Sequence, residues 1–538
     1  MGLKNRSPYV IMNLKLRKSE KMMKNKIISL LLLLITVLTV SSCTINLNIG
    51  QGGGGEQNGG GADCLHADVN DDGECDKCFD SLLVVIDFYA INDLHGKLLD
   101  TDSQPGVDEL TTYLKKRGDI DEHTVLISSG DMWQGSSESN LTRGKIVTEW
   151  MNELDFVSMT IGNHEFDWGE EYIEENLKAA EFPFLAINIY ERETNTPVDY
   201  CAPSVMIERG GIQIGIIGAI GDCYSSISPD KVEDVYFKTG DELTELIKDE
   251  ATRLRDGGAD LIIYSLHDGY GSSGSSGGMI SSNRISSYYD PSLSQGYIDL
   301  VFEGHTHQRY VFYDTYDVYH LQNGGENKGI SHAEIAINQI TGTLVVTEAS
   351  FISTSNYTGL EDDPIVNDLK DKYGDDIAKG DVVLGFNPSY KDDYYVCGKV
   401  AELYADFGVR TWGDEYDIVL GGGYLSLRSP YSLGEGEIRY SDLQMILPFD
   451  NKLAICSVKG EDLLRKFINT SNSNYHISYT EYGASIKEKI DTDATYYIIV
   501  DMYTALYEPN RLTLIEEYPE EIYARDLLGE YIKTVGLK

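Results

Sequence analysis

Short apolar segments recur along the chain from residue 82, and polar stretches compatible with helices separate them. The first segment is Leu82–Ile91, and the next five are Val125–Ser128, Phe156–Ile161, Ile212–Ile217, Leu261–Ser265 and Ile298–Phe302. Apolar segments of this length between helical patterns are typical of strands buried on both faces. We therefore predict an α/β fold in which helices cover a sheet.

A second alternating region begins after Asp381. Its pattern predicts helices at Val396–Phe407 and Glu461–Phe467 and strands at Ile418–Leu420, Leu453–Val458 and Tyr496–Val500. A polar stretch, Glu361–Lys379, lies between the two regions and is compatible with a helix. Because 538 residues exceed what one core supports, we predict two domains, residues 82–355 and 383–538, joined by a linker helix within residues 356–382.

The N-terminus has the pattern of an export signal. Basic residues up to Lys26 precede the apolar run Ile27–Val40, which is followed by two serines and Cys43. The run is short for a membrane span, and a small-residue stretch ending in cysteine resembles the lipobox of bacterial lipoproteins. We predict that residues 1–43 are a signal peptide, that Cys43 is lipidated, and that the protein is anchored by lipid at the bacterial surface or envelope; an uncleaved anchor is the alternative.

Residues 44–81 begin with a glycine-rich tether and continue with a dense set of metal-ligand types: Cys64, His66, Asp68, Asn70, Asp72, Cys75 and Cys78. Asp68, Asn70 and Asp72 match the opening of a calcium loop, but Phe79 stands where its bidentate glutamate belongs. The cysteines and His66 are instead four candidate ligands for zinc. An extra calcium or zinc ion and a solvated linker with one disulfide both fit, and the sequence leaves them open.

Several apolar segments of the first region end directly in Asp, Asn or His. The clusters are Asn92–Gly96, Gly130-Asp131, Gly162–Asp167, Leu266-His267 and Gly304–His307. Side chains after the carboxyl ends of strands in an α/β sheet meet at one edge. Carboxylate, amide and imidazole groups suit borderline divalent metals. The pattern therefore predicts a metal site built from five loops.

The net charge bounds the partners of this site. A formal charge of -43 and a pI near 4.4 oppose the approach of a nucleic acid polymer. A small phosphorylated substrate fits only where metal ions or a few placed arginines neutralise it. We therefore expect a small-molecule substrate and no nucleic acid partner; the sequence gives no oligomeric state.

In order and composition, these five clusters resemble the signature of calcineurin-like metallophosphoesterases. The Gly-Asn-His-Glu-Phe-Asp form of Gly162–Asp167, with a further domain after it, resembles the 5'-nucleotidase family. The resemblance implies an N-terminal four-layer β-sandwich flanked by helices and a C-terminal α/β substrate domain. It also implies two divalent metal ions, with zinc, manganese, cobalt and iron not distinguished.

The resemblance gives the metal-site residues individual roles. It assigns Asp93, His95, Asp131 and His307 to one ion, and Asp131, Asn163, His267 and His305 to the other, so that Asp131 bridges them. His164 is implied to contact the phosphate or the leaving oxygen while Asp167 fixes its tautomer. A purely structural His164–Asp167 contact is the alternative.

In the second region, Pro448–Asn451 resembles the Pro-Phe-Gly-Asn segment of the same family. This implies that Phe449 stacks on a nucleobase and that Asn451 contacts it, whereas core packing is the alternative for Phe449. The family's glycine-rich segment is altered here, with its arginine displaced to Arg428, and Tyr503 is the candidate for a second stacking ring.

The implied function is extracellular hydrolysis of nucleoside 5'-monophosphates by metal-activated water. A 2',3'-cyclic nucleotide phosphodiesterase and a nucleotide-sugar diphosphatase are alternatives with the same metal site. A surface ligand-binding protein without turnover is the alternative outside enzymes.

Overall fold

The computed structural model describes residues 82–100, 106–117, 122–221, 223–270 and 289–537. All of these belong to one compact unit, His66–Lys538. The predictions for the signal peptide, for Cys43 and for residues 64–78 lie outside the described residues. Within the described ranges, no helix combines the length and the apolar character that crossing a membrane requires.

Strands account for much of the chain up to residue 353. They are β1 (Leu83–Ile91), β2 (Thr124–Ser128), β3 (Ser158–Thr160), β4 (Phe184–Leu185), β5 (Ile189–Glu191), β6 (Ser204–Arg209), β7 (Ile212–Ile220), β8 (Val235–Phe237), β9 (Leu261–His267), β10 (Leu300–Glu303), β11 (Arg309–Tyr313), β12 (Tyr319–Asn323), β13 (Gly329–Asn338) and β14 (Leu344–Ser353). The helices between them are α1 (Asp108–Arg117), α2 (Ser137–Thr142), α3 (Lys145–Asn152), α4 (Glu170–Ala179) and α5 (Asp241–Asp256).

Two six-stranded sheets form from these strands. One has the order β14-β13-β1-β2-β3-β4, with β1 to β4 parallel, and the other has the order β11-β12-β10-β9-β7-β6, with β7, β9, β10 and β12 parallel. Parallel strands need long crossovers, and α1, α3 and α4 lie within those of the first sheet while α5 lies between β7 and β9.

The layers follow from alternation along the strands. In β1, Ile86 and Phe88 face a core shared with Ile216 and Ile263 of the second sheet. Tyr89, which follows Phe88, faces the core that helices α1, α3 and α4 cover. Alternating apolar positions thus supply two cores at once.

The outer face of the second sheet is covered by α5. Leu243, Ile247, Ala251 and Leu254 recur at helical spacing and are buried against this sheet. Acidic residues in the first turn and arginines in the last complement the helix dipole. The order is therefore helix, sheet, sheet, helix, as the resemblance implies.

After residue 353 the chain builds a third, smaller sheet. The helices are α6 (Pro364–Lys372), α7 (Gly374–Ile377), α8 (Asp393–Trp412), α9 (Tyr440–Ile446), α10 (Gly460–Asp462), α11 (Glu481–Ile486), α12 (Met502–Tyr507) and α13 (Ala524–Thr534). The strands are β15 (Val383–Asn387), β16 (Lys391–Asp392), β17 (Ile418–Tyr424), β18 (Ser432–Leu433), β19 (Gly436–Arg439), β20 (Leu453–Lys459), β21 (Tyr475–Tyr479), β22 (Thr495–Asp501) and β23 (Leu512–Glu517). Five strands pair in the order β21-β17-β22-β20-β23, with cores on both faces.

The predicted helices and strands of this region are confirmed, and Glu461–Phe467 is helical as α10 followed by the π-helical turn Leu463–Ile468. The predicted helix in residues 356–382 is present as α6 and α7. Val366 and Leu369 of α6 pack into the core of the first sheet, and Lys115 pairs with Asp363 at 3.0 Å. This stretch is therefore docked on the first region; the domain boundaries and its role as a linker stay predictions.

Candidate metal centre and substrate cleft

The side chains that the sequence marks as metal ligands lie where parallel strands end. Strand β1 leads to Asp93 and His95, β2 to Asp131, β3 to Asn163, β9 ends at His267, and β10 leads to His305 and His307. Both sheets direct these ends to the same edge of the sandwich, and the five loops meet there.

The backbone at this edge is strained. Asp93, His95, Asp131, His305 and His307 have φ angles of 51°, 52°, 56°, 66° and 51°. Residues with side chains rarely adopt this left-handed conformation, which costs on the order of 1 kcal/mol or more at each position. Such a concentration of strained residues is typical of a functional site.

The first group of donors is Asp93, His95 and His307, whose ligand atoms lie within 4.8 Å of one another. The Nε2 atoms of His95 and His307 are 3.0 Å apart, and Nε2 of His307 is 3.4 Å from Oδ1 of Asp93. Two imidazole nitrogens directed at one carboxylate across so short a distance suit a shared cation.

The second group surrounds His267. Its Nε2 lies 3.2 Å from Oδ1 of Asp131 and 3.2 Å from Oδ1 of Asn163, and Nδ1 of His305 lies 2.7 Å from the same Asn163 oxygen. Asp93, Asp131 and His267 also have ligand atoms within 4.8 Å of one another. Asp131 therefore stands between the two groups.

Hydrogen bonds behind the ligands fix two of the imidazole tautomers. Nδ1 of His95 donates to the carbonyl of Gln134 at 2.8 Å, and Nδ1 of His267 donates to the carbonyl of Ser129 at 2.7 Å. Nε2 is then the ring nitrogen that each histidine directs at the centre, which is the arrangement of metal-ligating histidines.

The electrostatics of the centre favour added positive charge. Burial opposes protonation of His267, but the Asp131 carboxylate outweighs it and raises the pKa of His267 to about 10. Burial lowers the pKa of His305 to about 4 and holds that of His95 well below its usual range. The buried carboxylates attract cations while two neighbouring imidazoles stay neutral, which is the donor state that divalent metals bind. The residues present therefore fit a metal site.

Two glycines allow the loops to approach so closely. Gly130 has a φ of 92°, and a Cβ there would lie 2.6 Å from Nδ1 of His267. A Cβ on Gly162 would lie 2.3 Å from Oδ1 of Asp131. Larger residues would displace ligands at both positions.

His164 lies beside the metal centre with its partner Asp167. Nδ1 of His164 is 2.7 Å from Oδ2 of Asp167, and its backbone N–H donates to Oδ1 of Asp131 at 2.8 Å. The ring of Phe449 lies 6.1 Å from the His164 ring at an interplanar angle of 30°. The Asp167 contact leaves Nε2 of His164 as the ring nitrogen available to a ligand.

A cleft of ≈ 300 Å³ joins this centre to the C-terminal region. Among its lining residues are all four predicted substrate-contacting residues: Arg428, Phe449, Asn451 and Tyr503. The positive charge of Arg428 adds to burial in lowering the pKa of His95. Tyr503 donates a hydrogen bond to the carbonyl of Ser225 at 3.0 Å, so it also bridges the two regions.

Sequence reasoning missed the role of Glu165. This buried carboxylate accepts backbone N–H bonds from Gly162, Asp131 and Met132 at 2.7, 2.9 and 2.9 Å. It ties the loop after β2 to the loop after β3, and its position inside the Gly162–Asp167 cluster was the available signal. Burial, reinforced by Asp131, raises the pKa of Glu165 to about 7.

The aromatic wall of the cleft was also incomplete in the sequence prediction. The ring of Tyr503 stacks on Tyr507 at 5.5 Å and lies 5.8 Å from Tyr424. Tyr424 lines the cleft and follows the glycine-rich part of β17. An aromatic residue ending a glycine run was the only sequence signal for it.

Comparisons with known proteins agree with this geometry. Residues 86–309 match the calcineurin-like phosphoesterase family. An apyrase from Tabanus yao is 26% identical over 418 residues, which cover 70% of this chain and 72% of the apyrase. A snake venom 5'-nucleotidase from Crotalus adamanteus is 31% identical over 180 residues, but these cover only 32% of this chain and 30% of the venom protein.

Among solved structures, a 5'-nucleotidase from Staphylococcus aureus described as putative superposes with a TM-score of 0.63 at 17% identity. The superposition covers 84% of this chain and 98% of that protein, so the similarity of fold extends through the C-terminal region. Residues 86–309 thus form a calcineurin-like phosphoesterase domain, and the chain that carries it is a metal-dependent phosphoester hydrolase with the fold of the 5'-nucleotidases.

Proposed function

We propose that this enzyme removes phosphate from nucleoside 5'-monophosphates outside the cell. The observation that carries the proposal is the cleft itself, since the donor cluster and the aromatic residues Phe449 and Tyr503 line the same cavity. Its volume of ≈ 300 Å³ is at the lower end for small-molecule sites, which suits a mononucleotide better than a larger nucleotide sugar.

In this proposal Asp93, His95, Asp131 and His307 hold one divalent ion. The second ion is held by Asp131, Asn163, His267 and His305. When bound, the two ions supply positive charge that polarises the phosphoryl group and stabilises the charge developing on its oxygens. The short distances between donors from different loops support this division of ligands.

His164 is proposed to bind the phosphoryl or leaving oxygen through Nε2. The Asp167 carboxylate holds Nδ1 at 2.7 Å and so fixes the ring orientation. Arg428, which also lines the cleft, is proposed to add a fixed positive charge near the phosphate. Positioned groups of this kind lower the barrier by preorganisation rather than by forming bonds to the substrate.

Phe449 and Asn451 are proposed to hold the base. Phe449 is half-buried and Asn451 adjoins it in the cleft. The ring of Phe449 lies 6.1 Å from that of His164. We therefore propose that the base stacks on the face of Phe449 turned away from His164.

The test is phosphate release from nucleoside mono-, di- and cyclic phosphates, nucleotide sugars and an aryl phosphate, using manganese- or zinc-loaded protein. We expect preference for 5'-monophosphates. The Phe449→Ala variant should raise KM for nucleotides and leave the aryl phosphate unaffected. Activity restricted to cyclic diesters or to nucleotide sugars would show that the protein acts on that substrate class instead. If Phe449→Ala impairs hydrolysis of nucleotides and of the aryl phosphate equally, Phe449 is a packing residue.

Location outside the cell is proposed from the export pattern and Cys43. The protein expressed in a bacterium should partition into the detergent phase of a membrane extract, whereas the Cys43→Ser variant should remain in the aqueous phase or keep an unprocessed signal peptide. Identical partitioning and processing of both proteins would contradict lipidation.

A further inference from the structure

A second group of metal-ligand side chains lies in the C-terminal region and shares no residue with the lining of the cleft. It consists of Asp393, Cys397 and His476, whose ligand atoms lie within 4.8 Å of one another. None of the three belongs to the predicted metal centre or substrate site. The catalytic proposal therefore leaves this group without a role.

Two elements bring the three residues together. Asp393 and Cys397 are four residues apart in the first turns of α8, so they share one helix face. His476 lies on β21, the edge strand of the third sheet, opposite Gly423 of β17. The group thus joins the start of a helix to the edge of a sheet.

The distances suit a tetrahedral ion. Sγ of Cys397 lies 3.6 Å from Oδ1 of Asp393. Two ligands of a tetrahedral zinc ion, bound at about 2.0–2.3 Å, lie roughly 3.5 Å apart. The third donor, a ring nitrogen of His476, lies within 4.8 Å of the other two ligand atoms.

His476 provides an independent sign that a ligand belongs here. Its side chain is buried, with 5% exposure, and its Nε2 atom has no hydrogen-bond partner among the described residues. A buried nitrogen without a partner is destabilising, and a bound cation or other ligand would remove that cost. Burial also lowers the pKa of His476, so its imidazole is neutral and can donate a lone pair.

The two helix residues supply complementary donors. Cys397 is fully buried, and burial with the Asp393 carboxylate raises the pKa of its thiol, so it stays protonated unless a cation is bound. Asp393 is half-buried, and its Oδ1 also accepts the N–H of Leu427 at 2.9 Å. Its partial exposure gives an ion and a completing water molecule access to the group.

We propose that Asp393, Cys397 and His476 form a separate zinc site, with water as the fourth ligand. Thiolate, imidazole and carboxylate together favour zinc over the harder cations magnesium and calcium. The ion would link α8 to β21 and fix the position of the Asp393 carboxylate, which accepts the N–H of Leu427. Because Leu427 precedes Arg428, the same ion would steady the segment that brings Arg428 into the cleft.

The test measures zinc in full-length protein whose Cys64, Cys75 and Cys78 are replaced by serine, so that these thiols cannot bind metal. In this background, Cys397→Ser and His476→Gln should each lower the zinc content by about one ion per chain. Cys456→Ser is the matched control, because Cys456 on β20 is as fully buried as Cys397 and should leave the zinc content unchanged. Equal zinc content in Cys397→Ser, His476→Gln and the background would overturn the proposal.

Cobalt substitution identifies the thiolate directly. Cobalt bound to Cys397 should give a near-ultraviolet sulfur-to-metal absorption that Cys397→Ser abolishes. Cys223 also lies near His267 and His305, so Cys223→Ser is the second control and should keep the absorption. Loss of the absorption in Cys223→Ser instead would place the thiolate at the catalytic centre and overturn the proposal. If Cys397→Ser fails to fold, the zinc content of Asp393→Asn is measured instead, because this variant keeps an acceptor for Leu427. It should also bind about one zinc ion fewer per chain, and an unchanged zinc content would overturn the proposal.

Discussion

At the residue scale, the centre is marked by side chains that the fold holds under strain or away from water. Asp93, Asp131 and His267 are almost fully buried, although two are carboxylates and one is a titratable imidazole. Each would be costly alone, and each is stabilised by an opposite charge or by donors from another loop. Substitutions here should therefore act first on metal binding and catalysis.

Asp131→Ala and His267→Ala should each abolish hydrolysis. Each change removes a donor that contacts groups from two loops. We expect kcat to fall by more than the roughly 10²–10³-fold that removal of one oxyanion donor causes. Phosphate release and bound metal are measured together. His332→Ala is the control, since His332 is also largely buried. Its Nε2 lies 2.8 Å from Oδ1 of Asp87, and neither residue belongs to the candidate centre. Full turnover by either ligand variant would show that the ligand assignment is wrong.

Asp501 offers a pH-dependent prediction. Burial raises its pKa to about 6, against the hydrogen bond from the Thr504 N–H at 2.8 Å. A raised pKa in the folded state favours the protonated form of Asp501. Protonated Asp501 therefore contributes fully to the stability of the folded protein below about pH 4, and this contribution is lost as the pH rises through about 6. Asp501→Asn should therefore be more stable than the unsubstituted protein at pH 8, by up to about 3 kcal/mol, and equally stable near pH 4.

Urea unfolding of both proteins across this pH range gives the difference directly. Comparing the two proteins cancels the titration of the many other carboxylates. A difference that does not change with pH would mean that Asp501 has an ordinary pKa in the folded state.

At the scale of elements, the loops that carry the candidate ligands are bonded to one another. The Glu165 carboxylate accepts N–H bonds from the loops after β2 and β3 together, which makes the positions of Asp131 and Asn163 interdependent. The third sheet has a similar dependence, because the segment that carries Arg428 is held by Asp393 of α8 through Leu427.

Glu165→Gln should weaken the metal centre without removing a ligand. The amide keeps one acceptor oxygen but places an NH₂ group against backbone donors, so the loops after β2 and β3 separate slightly. We expect metal affinity and turnover to fall about 10–100-fold, as for other residues that orient metal ligands. Added manganese should restore part of the activity. Unchanged metal affinity would show that Glu165 serves only the fold.

At the scale of the whole molecule, the two regions are joined around the cleft by specific polar contacts. Arg143 pairs with Asp450 at 2.7 Å, and Asn140 donates to the carbonyl of Gln444 at 3.0 Å. Asp450 also bonds to Arg525 and immediately follows Phe449. The position of Phe449 against His164 thus depends on contacts between the regions.

Arg143→Ala should raise KM for a nucleotide about fivefold, because a partly exposed ion pair is worth roughly 1 kcal/mol. Turnover of an aryl phosphate and metal content should not change. Lys145→Ala is the matched control, since its ion pair with Glu175 is exposed and lies outside the cleft. Equal KM values for Arg143→Ala and Lys145→Ala would show that the Arg143–Asp450 ion pair does not contribute to substrate binding.

The sequence by itself determined nine of the strands, the α/β class of the fold and the five loops that carry the candidate metal ligands. Periodic apolar segments predict strands, and carboxylate, amide and imidazole groups that gather where several such segments end are donors suited to divalent metals. Asp93, His164 and His305 could be selected in this way. The role of each residue in the site remains a prediction.

Only the tertiary structure decided which groups meet across long separations. Glu165 in one loop bonds to the backbone of another, Tyr424 joins Tyr503 in one aromatic wall, and α6 packs on the first core although its sequence is polar enough for a free linker. The same holds for Asp393, Cys397 and His476, which no spacing motif connects because a helix and a distant strand supply them. Such contacts depend on which helices and strands pack against each other, and the local pattern of apolar and polar residues does not specify that packing.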